Sequence, residues 1–149
     1  MTVASRMQDY SVSSEPSRLD LDVIHGFLAQ SYWAKGVPRS VVEKALQHSL
    51  CFGVYDDAAG QVGFARMITD RATFAYLADV FILPEHRGQG LSKQLMDAVV
   101  SHADLQGLRR MVLATSDAHG LYAQYGFESI AKPELFMEVW HPDIYQRQS

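Results

Sequence analysis

Cysteine is nearly absent from this 149-residue chain: Cys51 stands alone, which excludes an intrachain disulfide and a thiolate metal cluster. Long apolar runs are absent too. No stretch approaches the ~20 apolar residues that span a bilayer, and residues 1–9 lack the apolar centre of a signal peptide, so a cytoplasmic protein without membrane association is expected. Basic residues are in the minority, 13 Lys and Arg against 17 Asp and Glu for a net charge of −4, and a nucleic-acid partner is not expected. The 6 histidines are scattered without a His-x-x-x-His pair, so no metal is expected. There is no internal repeat, low-complexity tract or Pro/Gly/Ser-rich linker. What is present, 48% hydrophobic and 20% charged residues, is the composition of one globular domain over residues 1–149.

Hydrophobic periodicity supplies the elements. The opening residues read as frayed or as a short edge strand at residues 10–13. Ser17 reads as a helix cap, with Val23, Ile24, Phe27 and Leu28 on one face of the helix that follows; Gly36 and Pro38 then restart the chain into a second helix through Val41, Val42, Ala45 and Leu46. Residues 51–55 and 61–68 flank a polar stretch ending in Gly60 and form a hairpin. Residues 73–83 are a third, largely buried strand, with Asp79 the exception inside it. Pro84 stops that strand, and Leu91, Leu95, Ala98 and Val99 recur at helical spacing. Residues 110–115 form a strand parallel to the previous one. Ser116 or Asp117 caps a short helix that ends at Gly126, and residues 127–130 and 135–140 read as closing strands. The order β-α-α-β-β-β-α-β-α-β-β specifies an α/β (α+β) fold, a mixed central sheet flanked by helices. A strand at residues 135–140 with an exposed edge also leaves a homodimer open.

The informative stretch is Val80-Phe81-Ile82-Leu83-Pro84-Glu85-His86-Arg87-Gly88-Gln89-Gly90-Leu91-Ser92, a strand that runs through a glycine loop into a helix. Glycines let the backbone approach a ligand closely, and the helix start points free amides at one anion, with Arg87 as a fixed cation. A tight turn whose glycines only permit packing would use the same residues. Two phosphate motifs do not fit: there is no Gly-Lys-Ser/Thr ending, and Lys93 stands where a dinucleotide fingerprint has its third glycine.

Arg87-x-x-Gly90-x-Ser92 after this strand resembles the acetyl-CoA signature of the GNAT superfamily of N-acetyltransferases, Gln/Arg-x-x-Gly-x-Gly/Ala, with Ser92 in place of the usual Gly or Ala. Downstream, Tyr122-Ala123-Gln124-Tyr125-Gly126-Phe127 resembles the family's second block, in which Tyr precedes Gly-Phe by four positions. The likeness covers residues 52–140, and the two N-terminal helices match only in kind. It implies that Arg87, Gly88, Gln89, Gly90, Leu91 and Ser92 bind the pyrophosphate of coenzyme A. It also implies that Phe81, Ile82 and Leu83 follow a strand bulge and pair with pantetheine, and that Tyr122 protonates the departing thiolate. Acetyl-CoA is then the co-substrate.

Acetyl transfer also needs a proton acceptor for the amine. Asp79 is the preferred base, with Asp117, His119 or a water as alternatives; a buried ion pair of Asp79 with Arg66 is the competing structural reading. Tyr32, Trp33 and Arg66 are candidate acceptor-binding residues, aromatics suiting an amine and arginine a carboxylate. The expected reaction is transfer of acetyl to a primary amine of a small metabolite or amino-acid-like compound. A protein lysine or N-terminal amine is an alternative acceptor, and a coenzyme A-sensing module without turnover is an alternative outside enzymes.

Overall fold

The computed structural model of the chain describes residues 9–146. Five strands lie in sequence order in one sheet: β1 (Tyr10–Ser13), β2 (Leu50–Asp56), β3 (Gly60–Thr69), β4 (Phe74–Ile82) and β5 (Arg110–Leu113). The first four pair antiparallel and β4 pairs parallel with β5, which makes the sheet mixed, as the element order requires. The crossover between the parallel strands is α3 (Leu91–Ser101). No helix among the described residues is long and apolar enough to cross a membrane.

Strand β2 is buried along its whole length because both faces of the sheet are covered. Its alternate side chains enter two cores. Leu50, Phe52 and Val54 join Leu95, Met96 and Val99 of α3 on one face, with Tyr122 of α4 (His119–Ala123) at the edge of that cluster. Cys51 points the other way, where Phe64 and Phe81 meet Ile24 of α1 (Leu21–Leu28) and Val42 of α2 (Arg39–Gln47). Burial pushes the Cys51 thiol up to about 11. Gly63 marks how closely the strands are filled: a Cβ there would lie 2.7 Å from Ile82 Cδ1.

The local chemistry departs from the sequence reading in three places. Asp20, not Ser17, caps α1, its carboxylate accepting from the amides of Asp22 and Val23, while Ser17 sits in a 3-10 turn at Pro16–Arg18 with its hydroxyl donating to Glu15. Neither Ser116 nor Asp117 caps α4; the Thr115 hydroxyl accepts from the Ala118 amide instead. The two closing strands at residues 127–130 and 135–140 do not form. A strand exists through its neighbour's backbone, and the backbone bonds in this stretch among the described residues are local ones, made by the Phe127 amide to Tyr122, the Leu135 amide to Lys132 and the Phe136 amide to Pro133.

One irregularity positions everything that follows. Phe64 pairs with Phe81 and Arg66 with Ala78, so Ala65 alone faces two residues of β4, Asp79 and Val80. This is a β-bulge, and Asp79 takes it up in the left-handed region at φ 59°. Asp tolerates that region better than most side chains. Its carboxylate is also held, by Arg66 Nε at 2.8 Å, and both side chains are largely buried.

Asp79→Gly and Asp79→Ala both lose the ion pair, but only alanine keeps the clash of a Cβ in a left-handed conformation. Glycine's larger unfolded-state entropy offsets part of that difference. The alanine protein is expected to be the less stable of the two by about 1 kcal/mol in urea unfolding, and equal stabilities would mean that the bulge relaxes without cost.

Candidate active site

Strand β4 ends at Ile82, and Pro84–His86 form one 3-10 turn before Arg87. Gly88 and Gly90 then take φ values of 78° and 76°, and a Cβ on either would meet nothing within 4 Å. The glycines are thus required by backbone conformation, not by packing. Gly90 is the residue before α3 and supplies no side-chain cap. The amides of residues 88–93 make no backbone hydrogen bond to another described residue, the first intrahelical bond being Gln94 to Gly90. A helix start left open in this way presents a row of donors to an anion. Two side chains brace the loop. Arg87 Nε donates to the Ile82 carbonyl at 2.9 Å, while its outer guanidinium donors have no partner among the described residues, and the His86 ring meets the Tyr10 hydroxyl at 2.9 Å.

Beside this cradle the sheet opens. The β4–β5 ladder runs only from Phe74 and Arg110 to Leu77 and Leu113, and beyond the bulge the strands have no register with each other. A cleft of about 1670 Å³ begins there. It exceeds the ~300–1,000 Å³ of an ordinary small-molecule pocket, so it has room for a long ligand and a second molecule. Phe81, Ile82, Arg87, Gly88, Gly90, Leu91 and Ser92 all border it. Leu83 and Gln89 do not; the Leu83 amide is taken by the Val62 carbonyl and its carbonyl by the His86 amide. The free backbone edge and the open amides suit an extended ligand that carries a diphosphate.

At the other end the cleft collects the expected acceptor residues. Trp33 Nε1 donates to Asp79 Oδ1 at 2.9 Å, while Arg66 Nε holds Oδ2 and Arg66 also reaches Ser49 Oγ at 3.2 Å. Tyr32, Trp33, Arg66 and Asp79 therefore share one wall. The Tyr32 hydroxyl lies 3.4 Å from Ser116 Oγ. Phe27 stacks on Phe81 with centroids 4.1 Å apart, fixing α1 against the bulged strand.

Tyr122 is buried on α4 and edge-on to Phe127. Burial first, and then the charge of Asp117, pushes its phenol above the usual tyrosine value, so it stays protonated through neutral pH. Among the described residues its hydroxyl has no hydrogen-bond partner, and it borders the cleft. Tyr125 differs: its hydroxyl donates to the Lys93 carbonyl and ties α4 to α3. Asp117 borders the cleft and His119 does not. Four bordering aromatics, Phe27, Tyr76, Trp140 and Tyr145, were not singled out from the sequence as site residues. Phe27 and Tyr76 carried only the signal of a helix or strand face, Trp140 ended a stretch read as a closing strand, and Tyr145 stands in the tail beyond it. No group of three or more metal-binding side chains occurs among the described residues.

Residues 47–129 match the Acetyltransferase (GNAT) domain family, a stretch that holds the loop and Tyr122 but not Tyr32 or Trp33. A Gibberella zeae protein named as an acetyltransferase is 36% identical over 138 residues, covering 78% of this chain and 77% of its own length. A GNAT-family protein of Xanthomonas campestris pv. campestris, known from its crystal structure, is 57% identical and superposes with a TM-score of 0.90 over 94% of this chain and 99% of its own. An aminoglycoside N-acetyltransferase solved in complex with CoA shares the fold at a TM-score of 0.64 and 22% identity, over 92% of this chain and 96% of its own. The open amide row, the parted strands and the buried tyrosine thus stand on a chain that belongs to the GNAT family and is an N-acetyltransferase of the acyltransferase class.

Proposed function

We propose that this acetyltransferase takes acetyl from acetyl-CoA and gives it to a primary amine of a small metabolite or amino-acid-like compound, by direct attack. The observation that carries this reading is that one cleft is bordered by Gly88 and Gly90–Lys93 of the open loop, by the unpaired stretch of β4, by the Trp33–Asp79–Arg66 group and by Tyr122.

Bound acetyl-CoA supplies an activated thioester. The chain's own groups do the rest. The loop amides and the outer donors of Arg87 hold the diphosphate, and the backbone of β4 near Phe81 aligns the ligand's arm and polarises its carbonyl. Asp79 accepts the amine proton, directly or through a water, as the C–N bond forms. Each of its oxygens has one protein partner and keeps a lone pair free for this. Tyr122 gives its proton to the sulfur as the C–S bond breaks, and solvent restores it. Tyr32, Trp33, Trp140 and Tyr145 border the cleft with aromatic rings, which supports a small acceptor over an extended polypeptide.

Arg87→Ala is expected to weaken acetyl-CoA binding by calorimetry ~10–100-fold, the worth of a charged hydrogen-bond donor; unchanged affinity would remove Arg87 from the diphosphate site. Tyr122→Phe is expected to lower kcat ~10²–10⁴-fold with acetyl-CoA binding unchanged. Full turnover by that variant would assign the proton to another donor. Asp79→Asn keeps a side chain that accepts the left-handed conformation while removing the charge, so its pH–rate profile against a panel of amines isolates the base. A profile like that of the unmodified protein would move that role to Asp117 or a water. Thiol release with peptides in place of small amines would shift the acceptor class to protein amines.

A further inference from the structure

The charges that border the cleft are sorted by place. His86, Arg87 and Lys93 belong to the loop and the start of α3; apart from them, the described residues set one cation, Arg66, against the carboxylates of Asp79, Asp117 and Glu138. Arg66 is not available to an acceptor. Its charge is neutralised by Asp79 at 2.8 Å, a second of its three nitrogens is held by Ser49 Oγ at 3.2 Å, and only 18% of its side chain is exposed. The residue that the sequence suggests as a carboxylate binder is thus spent inside the protein, and an acceptor's carboxylate would give up water without gaining a partner there.

Asp117 and Glu138 are the reverse case. Neither forms an ion pair among the described residues, so two negative charges border the cleft uncompensated. A chain of contacts ties Asp117 to Asp79. Trp33 bonds to Asp79 and meets the Tyr32 ring with centroids 5.1 Å apart, and Tyr32 in turn lies 3.4 Å from Ser116, the neighbour of Asp117. Both rings are exposed, and an aromatic face attracts a cation as a carboxylate does. These charges belong to a ligand site and not to a bare acidic surface: the Tyr122 hydroxyl, in a residue only 8% exposed, borders the same cleft with no partner among the described residues.

We propose that the acceptor is a polycationic amine, a compound that bears a second ammonium group beside the amine that is acetylated and carries no acid group. This rests on the proposed transfer from acetyl-CoA to a small amine and narrows it, setting amino-acid-like acceptors aside. The bonds made and broken do not change: C–N forms, C–S breaks, and the proton of the attacking amine passes to Asp79. The second ammonium stays protonated and is held by Asp117, Glu138 and the aromatic rings. A carboxylate in its place would be repelled by the same two residues.

Three amines separate the terminal charge from everything else. Butylamine, putrescine and γ-aminobutyrate carry the same attacking amine on a four-carbon chain that ends in a methyl, an ammonium or a carboxylate group. With the full chain and acetyl-CoA, thiol release is expected with a kcat/KM for putrescine about 10-fold or more above that for butylamine, the combined worth of an ion pair and a cation–π contact, and with the lowest value for γ-aminobutyrate. In the unsubstituted protein the advantage of putrescine should shrink as salt is raised, and in Asp117→Asn and Glu138→Gln it should fall toward unity. Because the ratio of two amines is read within each variant, a general loss of activity cancels. Equal kcat/KM for the three amines, or a ratio that neither salt nor substitution changes, overturns this proposal and leaves the transfer to small amines standing. Acetyl-CoA binding without thiol release from any amine overturns both.

Discussion

Between Ala78 and Phe81 the backbone of β4 carries one residue more than its partner β3, and Asp79 absorbs the surplus by turning left-handed. Downstream geometry follows from that turn. The ladder with β5 ends at Leu77, so the rest of β4 faces the cleft with its backbone unspent. A sheet that stayed regular would have closed this gap with its own hydrogen bonds and left a ligand no edge to use. The conformation is held at several points: Arg66 and Trp33 bind the two carboxylate oxygens, and Phe27 stacks on Phe81 two residues on. Strain of ~1–2 kcal/mol in one residue is thereby tolerated at the place where the site needs an irregular strand.

The charge distribution follows the same economy. The chain is acidic overall, with a net charge of −4, yet the loop gathers a helix start, open amides and Arg87 at one spot. On the proposed reading, selectivity for a diphosphate comes from the orientation of dipoles over a short distance and not from a general field, which salt would screen.

Residues 80–92 were legible because their chemistry is local: proline, glycine and arginine act within a few residues of themselves, and a strand-to-helix loop has few conformations. The parallel β4–β5 pair followed from the crossover helix between them, whereas Tyr122 was singled out only through the family resemblance of the block it shares with Gly126-Phe127. The bulge was available only through the family resemblance. Nothing in Asp79 itself announces a left-handed turn, because the cause lies in the register with β3. The tail was misread for a related reason. Residues 135–140 have the composition of a strand, but composition cannot say whether an edge lies within reach in the same chain. Tyr32 and Trp33 fell into place through α1, whose Asp20 cap and Phe27 contact depend on packing against the sheet, and Trp140 and Tyr145 through a tail path that no periodicity encodes.

Cys51 has a consequence for any chemistry that passes through sulfur. It faces the core between β2 and the first two helices, and its thiol is pushed up to about 11, so at neutral pH almost none of it is the reactive thiolate. The native protein therefore offers no accessible thiol of its own to exchange with a disulfide. In a solution of the folded chain with a thioester co-substrate, a sulfhydryl titrated by a disulfide dye therefore comes from that ligand, by transfer or by hydrolysis, and not from Cys51.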